Sequence, residues 1–130
     1  MVNITSDIAK LLQYTDLVLL DIKHIDDEKC KELTGSSNKL ELEFAQYLSN
    51  NNIPIWIRQV IIPDITDDPK DLLKLKEFIS SLKTVEKVEV IRYHELGKFK
   101  WENLGYIYPF DYIRPATAED IDKAKEILGI

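Results

Sequence analysis

The chain has 130 residues, of which 45% are hydrophobic and 31% charged, with one cysteine and a formal net charge of −6. This length and composition are typical of one folded domain, and the negative charge disfavours nucleic-acid binding, which needs a basic surface. A single cysteine excludes a disulfide framework and a thiolate-ligated zinc or iron–sulfur site built from this chain alone.

The N-terminal segment is polar and lacks the apolar core of a secretory signal. No apolar run approaches the roughly 20 residues that a membrane span needs. We therefore expect a soluble cytoplasmic protein with a reduced thiol and no membrane partner.

Three apolar runs predict β-strands over Asp16–Ile22, Pro54–Ile62 and Lys87–Tyr93. The runs are nearly continuous, which is typical of strands covered on both faces, as in parallel sheets. Helical periodicity predicts five helices, one before the first strand and four after it, that begin near Ser6, Asp26 or Asp27, Asn38, Pro69 and Thr117.

Cap residues support several of these helices. Asp68 is predicted to cap the helix that begins at Pro69, Thr117 and Asp120 are predicted to open the last helix, and Gly35 is predicted to end the helix that begins at Asp26 or Asp27.

Asn38 and Glu41 have the spacing of a capping box ahead of an apolar stripe of Leu40, Phe44, Ala45 and Leu48. Alternating strands and helices predict an α/β fold with a parallel sheet. Three strands would leave both sheet edges unpaired, so we expect part of a larger β/α sheet or a protomer that needs a partner.

Sites in parallel β/α folds form at the carboxyl ends of strands. Asp21 and Lys23 end the first strand on the same face, and they predict either a ligand site or a strand-end salt bridge. Arg58 lies within an apolar strand, where it would bind a carboxylate or phosphate or would pair structurally with an acidic residue such as Asp21.

Two histidines and the cysteine are weaker candidates. His94 directly follows the third strand and is the better placed histidine, since the chain is expected to turn outward at His24. Cys30 falls on the apolar stripe of a short helix, which favours structural burial over a nucleophilic role.

The segments DLVLLDIK, IPIWIRQVIIP and YHELGKFKWENLG appear here in the order and spacing of the pyruvate formate-lyase activating enzymes. The chain resembles this family, whose members are glycyl-radical-enzyme activases of the radical S-adenosylmethionine superfamily, over nearly its whole length. The resemblance implies that residues 1–130 are the C-terminal half of a partial β/α barrel of six parallel strands, so that this chain carries three of them. The implied N-terminal half would hold the CxxxCxxC loop for a [4Fe–4S] cluster, a motif that does not occur in this sequence.

The resemblance also implies roles for individual residues. Lys23, His94 and Arg58 would contact S-adenosylmethionine. Asp21 and the backbone carbonyl of Leu19 would bind a monovalent cation beside it. The implied partners are a glycyl radical enzyme (pyruvate formate-lyase), a flavodoxin-type reductant and a separate N-terminal half.

In the family reaction a reduced cluster cleaves S-adenosylmethionine to a radical that abstracts a hydrogen atom from a glycine of the lyase. The isolated chain is expected to be inactive, because it lacks the cluster ligands.

Two positions depart from the pattern of the family. Arg92 stands where the family usually has proline, and Asp64 stands where it usually has glycine.

Two other hypotheses stay open at this stage. The chain could be a non-catalytic half-barrel module that docks a lyase or complements a separate N-terminal half. Alternatively, Lys23 could form a Schiff base in an aldolase-like barrel, although that class of barrel needs more strands than this chain has.

Overall fold

A computed structural model describes residues 16–92 and 115–130. In chain order the elements are β1 (Val18–Asp21), α1 (Asp27–Thr34), α2 (Lys39–Asn50), β2 (Ile55–Ile61), α3 (Pro69–Ser80), β3 (Val85–Arg92) and α4 (Ala118–Leu128). The predicted helix near Ser6 and the irregular stretch after His94 lie outside these residues.

The three strands form one sheet in the order β1-β2-β3, and both pairs are parallel. This confirms the predicted α/β class. One face of the sheet packs against the helices and forms a single apolar core. The strand residues of this core are Ile55, Ile57 and Ile61, and its helix residues include Leu48, Leu72, Leu75, Ile121 and Leu128. The opposite face is less covered, since the Leu19 side chain is 53% exposed. The expectation of two covered faces is therefore wrong for β1 among the described residues.

Cap residues set the ends of three helices as predicted. The Asp68 side chain accepts a hydrogen bond from the Lys70 backbone N–H, and Pro69 occupies the first turn of α3. Thr117 and Asp120 form a reciprocal capping box at the start of α4. Gly35 ends α1 in the left-handed conformation, with φ 79°.

The predicted capping box at α2 is wrong. The Asn38 backbone is itself helical, and its side chain caps nothing. Instead the buried Asn38 amide donates hydrogen bonds to the carbonyls of His24 (3.1 Å) and Ile25 (2.7 Å). The polar side chain therefore ties the start of α2 to the loop that leaves β1.

The loop after β2 is also held by a buried polar side chain. The Thr66 hydroxyl accepts a hydrogen bond from the Ile62 N–H and donates one to the Val60 carbonyl, both at 2.7 Å.

The two departures from the family pattern have local effects. Arg92 donates to the Ala116 carbonyl at 3.4 Å, a bond that a proline could not make. Asp64 has φ 66°, in the left-handed region that favours glycine.

The backbone at Asp64 generates a stability prediction. Asp64→Ala should lower the free energy of unfolding by about 1 kcal/mol, because alanine tolerates a positive φ poorly. Asp64→Gly should raise it by up to about 1 kcal/mol, since glycine removes the left-handed penalty at some cost in unfolded-state entropy. Urea unfolding of the three proteins would measure the order, and an alanine variant as stable as the glycine variant would contradict it.

Candidate functional site

Three predicted site residues lie together at the carboxyl ends of β1 and β2. Asp21 is the register partner of Arg58. Lys23 lies two residues beyond Asp21, and its ammonium nitrogen is 3.8 Å from a carboxylate oxygen of Asp21. We call this group, Asp21, Lys23 and Arg58, the carboxyl-edge cluster.

The Asp21 carboxylate bridges the two cations of the cluster. Its Oδ1 lies 3.2 Å from Arg58 Nε, and its Oδ2 faces the Lys23 ammonium. The Arg58 Nε contact is an ion pair without hydrogen-bond geometry, because this buried nitrogen has no aligned acceptor within residues 16–92 and 115–130. The side chains of Asp21 and Arg58 remain about one-third exposed, at 34% and 30%. Both charged groups are therefore accessible to a ligand.

Lys23 is the most enclosed member of the cluster, with 13% of its side chain exposed. Burial lowers the pKa of its ammonium group, and the carboxylates of Asp21 and Glu41 oppose that shift. The backbone carbonyl of Lys23 accepts a hydrogen bond from the Gln59 side chain at 3.4 Å. The Gln59 amide is buried and also donates to the Val60 carbonyl at 2.8 Å. The chain is therefore anchored where it leaves β1.

Glu41 is a fourth charged residue at this edge, and it was missed from the sequence. It lies near enough to Lys23 and Asp21 for their charges to act on its carboxyl group. Burial raises the pKa of the Glu41 carboxyl, and the Lys23 charge opposes that shift. A signal was present, because Glu41 lies three, four and seven residues before the inward-facing residues of α2, which are Phe44, Ala45 and Leu48. Leu40, which was placed on that stripe, is exposed.

Leu19 was predicted to offer its backbone carbonyl to a cation. The N–H groups of Val18 and Ile22 donate to carbonyls of the β2 side, at Pro54 and Arg58. Because hydrogen-bonding direction alternates along a parallel strand, the Leu19 carbonyl points away from β2. It lies on the same strand as Asp21, two residues earlier, so a shared ligand is geometrically reasonable. The role of Leu19 stays a prediction, as does that of His94, which lies outside the described residues.

His24 does not turn outward, contrary to the sequence expectation. Its side chain is 1% exposed. The Asp26 N–H donates to His24 Nδ1 at 3.1 Å, so the ring proton is on Nε2, which donates to the Ile65 carbonyl at 2.8 Å. The ring thus joins the loop after β1 to the loop after β2. Burial lowers the pKa of His24.

Cys30 is buried on α1, as predicted, and burial raises the pKa of its thiol. Its sulfur lies 3.8 Å from the Thr34 hydroxyl. Within residues 16–92 and 115–130 no group of three or more histidine, cysteine, aspartate or glutamate side chains could hold a metal ion. No helix in the same ranges is long and apolar enough to cross a membrane.

Curated relatives match most of this chain. It is 45% identical over 119 residues to the pyruvate formate-lyase-activating enzyme of Streptococcus mutans, and 50% identical over 115 residues to that of Staphylococcus epidermidis. It is 45% identical over 121 residues to the pyruvate formate-lyase 1-activating enzyme of Escherichia coli K12.

The chain is homologous to about half of a pyruvate formate-lyase-activating enzyme. The three matches cover 92%, 88% and 93% of this chain but only 45%, 46% and 49% of the relatives. The chain therefore spans about half the length of these activating enzymes. No family model matches the sequence.

A solved structure supports the same fold. A domain of a pyruvate-formate lyase-activating enzyme from Bacteroides vulgatus superposes with a TM-score of 0.76, covering 96% of this chain and 69% of that one. The two sequences are 20% identical over the alignment. This similarity confirms the α/β architecture with a parallel sheet.

The burial of neutral His24 predicts a pH dependence of stability. The pKa of His24 in the folded state lies below the unfolded value of 6.5. As the pH falls, His24 is therefore protonated in the unfolded chain before it is protonated in the folded one. The free energy of unfolding should therefore fall as the pH decreases below 6.5, by at most about 1.4 kcal/mol per pH unit, until the folded-state pKa is reached.

His24→Gln should flatten this slope between about pH 6.5 and 5, since ordinary carboxylates titrate near 4. Glutamine also retains a donor for the Ile65 carbonyl. Chemical unfolding at several pH values measures the slope in both proteins. An unchanged slope in the variant would show that His24 is not the group responsible.

Proposed function

We propose that this chain is the C-terminal half of a radical S-adenosylmethionine activating enzyme and that its carboxyl-edge cluster positions that cofactor. The observation that carries the proposal is the convergence of Asp21, Lys23 and Arg58 at one end of the sheet, in a chain homologous to activating enzymes. In this proposal the whole of residues 1–130 is one half-domain, and the activity belongs to the complete enzyme.

The charges of the site suit this ligand. S-adenosylmethionine has a carboxylate, which an ammonium and a guanidinium group can bind through charge-assisted hydrogen bonds. Lys23 is enclosed and anchored through its backbone, so it loses little freedom on binding. Arg58 is partly exposed beside it and would contact the same ligand. His94 would contact the nucleoside part.

Asp21 would bind a monovalent cation together with the Leu19 carbonyl. Asp21 and Glu41 carry two negative charges, and Lys23 and Arg58 carry two positive charges, so the charges of these four described residues cancel when all are ionised. A bound cation would add one positive charge. The carboxylate of the ligand would be attracted to this cation, which couples the two binding events.

The [4Fe–4S] cluster does not fit the residues of this chain. Such clusters are bound by several thiolates, and the only cysteine, Cys30, is buried with a raised thiol pKa. In the proposal the cluster is therefore held by residues outside this chain, in a complementary N-terminal half. In the complete enzyme the cluster and S-adenosylmethionine would supply the radical chemistry, and this chain would supply only cofactor-positioning residues. The proposed partners of the complete enzyme are pyruvate formate-lyase and a flavodoxin-type reductant, in the cytoplasm.

A second candidate function is a non-catalytic module that docks a lyase or complements an N-terminal half. Among the described residues β1 is an edge strand of the sheet, and an unpaired edge that carries an exposed Leu19 side chain favours it. Co-purification with a separately expressed N-terminal half of a related activating enzyme supports both functions. Only the cofactor-positioning function also requires S-adenosylmethionine to bind. A complex that forms but does not bind S-adenosylmethionine would therefore favour the non-catalytic module.

Lys23→Ala should weaken S-adenosylmethionine binding to the chain at least tenfold, since a charge-assisted hydrogen bond contributes about 1.5–3 kcal/mol. Isothermal titration or NMR titration measures the dissociation constant. Lys39→Ala, which changes an exposed lysine at the start of α2, is the matched control and should bind as the unmodified chain does. Equal binding by all three proteins would refute the role of Lys23.

Asp21→Asn should remove the dependence of cofactor binding on monovalent cations. In the unmodified chain, affinity should rise when sodium or potassium replaces a bulky organic cation at constant ionic strength, because the small cation and the ligand carboxylate bind together. The neutral amide is a poorer cation ligand, so the variant should show little difference between the salts. A variant that keeps the full cation effect would contradict the assignment of Asp21.

A further inference from the structure

Buried polar side chains are concentrated at the carboxyl end of the sheet. Six polar residues are buried in the described ranges, and one of them, Ser49, lies at the opposite end. There its hydroxyl accepts a hydrogen bond from the Lys83 backbone N–H at 2.7 Å. The other five lie around the loops that follow β1 and β2, and they are His24, Asn38, Gln59, Thr66 and Asp71. Closing the loops is therefore not by itself a reason for so much polar burial at the end that carries the carboxyl-edge cluster.

His24 is the buried polar residue closest in sequence to Lys23. Its ring Nε2 donates a hydrogen bond to the Ile65 carbonyl at 2.8 Å, which joins the loop after β1 to the loop after β2. The Asp26 N–H donates to Nδ1 at 3.1 Å, and the Asn38 side chain donates to the His24 carbonyl at 3.1 Å. Both the ring and the backbone of His24 are therefore fixed by other segments of the chain.

The fixed position of His24 constrains the backbone of Lys23 from its carboxyl side. On the amino side, the Ile22 N–H donates to the Arg58 carbonyl at 3.0 Å. Lys23 lies between these two anchored residues, and its own carbonyl accepts a hydrogen bond from the Gln59 side chain at 3.4 Å. The direction in which the lysine side chain leaves the backbone is therefore set by its neighbours. A flexible four-carbon stem reaches a defined place only when its root is fixed.

The influence of His24 on Lys23 is geometric rather than electrostatic. A backbone N–H at Nδ1 and a backbone carbonyl at Nε2 select the neutral form of the ring. The Asp71 carboxylate lies 3.8 Å from Nε2, and its Oδ2 accepts a hydrogen bond from the Lys29 ammonium at 2.5 Å. The charge of Asp71 is thus balanced by Lys29 and does not require a charged ring. The ring therefore acts on the site by holding the loop in place.

We propose that His24 is a positioning residue whose ring, through its bond to Ile65, places the Lys23 ammonium for the carboxylate of the bound cofactor. This inference rests on the proposed function, because it takes Lys23 as the residue that binds the ligand. The role is indirect, since the His24 side chain is 1% exposed and faces the loop after β2. A displacement of the lysine by about 1 Å is enough to weaken binding, because charge-assisted hydrogen bonds are short and aligned.

Two substitutions of His24 separate the bond to Ile65 from the rest of the ring. In His24→Gln the side-chain amide reaches the place of Nε2 and still donates to the Ile65 carbonyl. In His24→Asn the amide reaches only the place of Nδ1, so the connection between the two loops is lost. NMR titration of the 130-residue chain measures the dissociation constants for S-adenosylmethionine and for its decarboxylated form, which lacks only the carboxylate assigned to Lys23.

His24→Asn should raise the dissociation constant for S-adenosylmethionine about tenfold, because a displaced Lys23 loses its contact with the ligand carboxylate. It should leave the dissociation constant for the decarboxylated form unchanged, and His24→Gln should bind both ligands as the unmodified chain does. Ser49→Ala is the matched control, because it also removes a buried long-range hydrogen bond, the one from Lys83, at the end remote from the site. It should lower the urea midpoint of unfolding without changing either dissociation constant.

A variant of α2 tests the same loop if His24→Asn does not fold. Asn38→Ala removes the hydrogen bonds to the carbonyls of His24 and Ile25. It should weaken the binding of S-adenosylmethionine and spare that of the decarboxylated form. Binding that is unchanged, or equally weakened for both ligands, would overturn the positioning role.

The possible outcomes separate the inference from the proposed function. The positioning role is overturned if His24→Asn weakens both ligands equally, if Ser49→Ala weakens S-adenosylmethionine binding to the same extent, or if His24→Gln loses as much affinity as His24→Asn. Unchanged binding by His24→Asn, with weakened binding by Lys23→Ala, would also overturn it while supporting the function of Lys23. If Lys23→Ala has no effect, or the unmodified chain does not bind S-adenosylmethionine, the proposed function fails and the inference fails with it.

Discussion

The register of β1 against β2 is the constraint on which the rest of the site depends. It pairs Asp21 with Arg58, and the two-residue period of the strand then places Lys23 on the same side of the sheet. A shift of one residue would turn Asp21 and Lys23 to the helix-covered face. The alternating apolar residues Leu20 and Ile22 oppose that shift, because they pack in the core. Core packing and site geometry are therefore set by the same pairing.

Buried polar side chains then fix the loops that leave the strands. Asn38 binds the carbonyls of His24 and Ile25, and the His24 ring binds Ile65. Gln59 and Thr66 hold backbone groups around the end of β2. Buried polar groups are costly unless they are hydrogen-bonded, so such a network specifies one loop conformation strongly. We infer that this rigidity serves the carboxyl-edge cluster, whose charged groups must stay within a few ångströms of one another.

Much of the fold could be predicted from the sequence. The strands, four of the five helices and the caps at Asp68 and Thr117 follow from local patterns, and each is present in the described residues. The pairing of Asp21 with Arg58 was one of two alternatives for the buried arginine, and the structure shows that ion pair. These features depend on near neighbours in the sequence or on the general rule for parallel strand ends.

The predictions that were wrong concern side chains whose positions depend on contacts between distant segments of the chain. Asn38 matches an N-cap pattern, but its side-chain amide donates to a backbone carbonyl in the loop after β1 and does not cap α2. His24 lies next to a charged lysine, yet a partner 41 residues away turns it inward. Glu41 was assigned to the same capping box as Asn38, and the structure instead leaves it half-buried near the end of β1. For Asn38 and His24 a tertiary hydrogen bond therefore overrides the local pattern.

The central claim is that the carboxyl ends of β1 and β2 bind S-adenosylmethionine. The most direct measurement is a ¹H–¹⁵N NMR titration of the isotope-labelled chain with S-adenosylmethionine. The account predicts that the largest amide shifts occur in the segment from Leu19 to Lys23 and at Arg58, with saturation. Shifts confined to the remote surface between α3 and α4, or no saturable shifts, would contradict it.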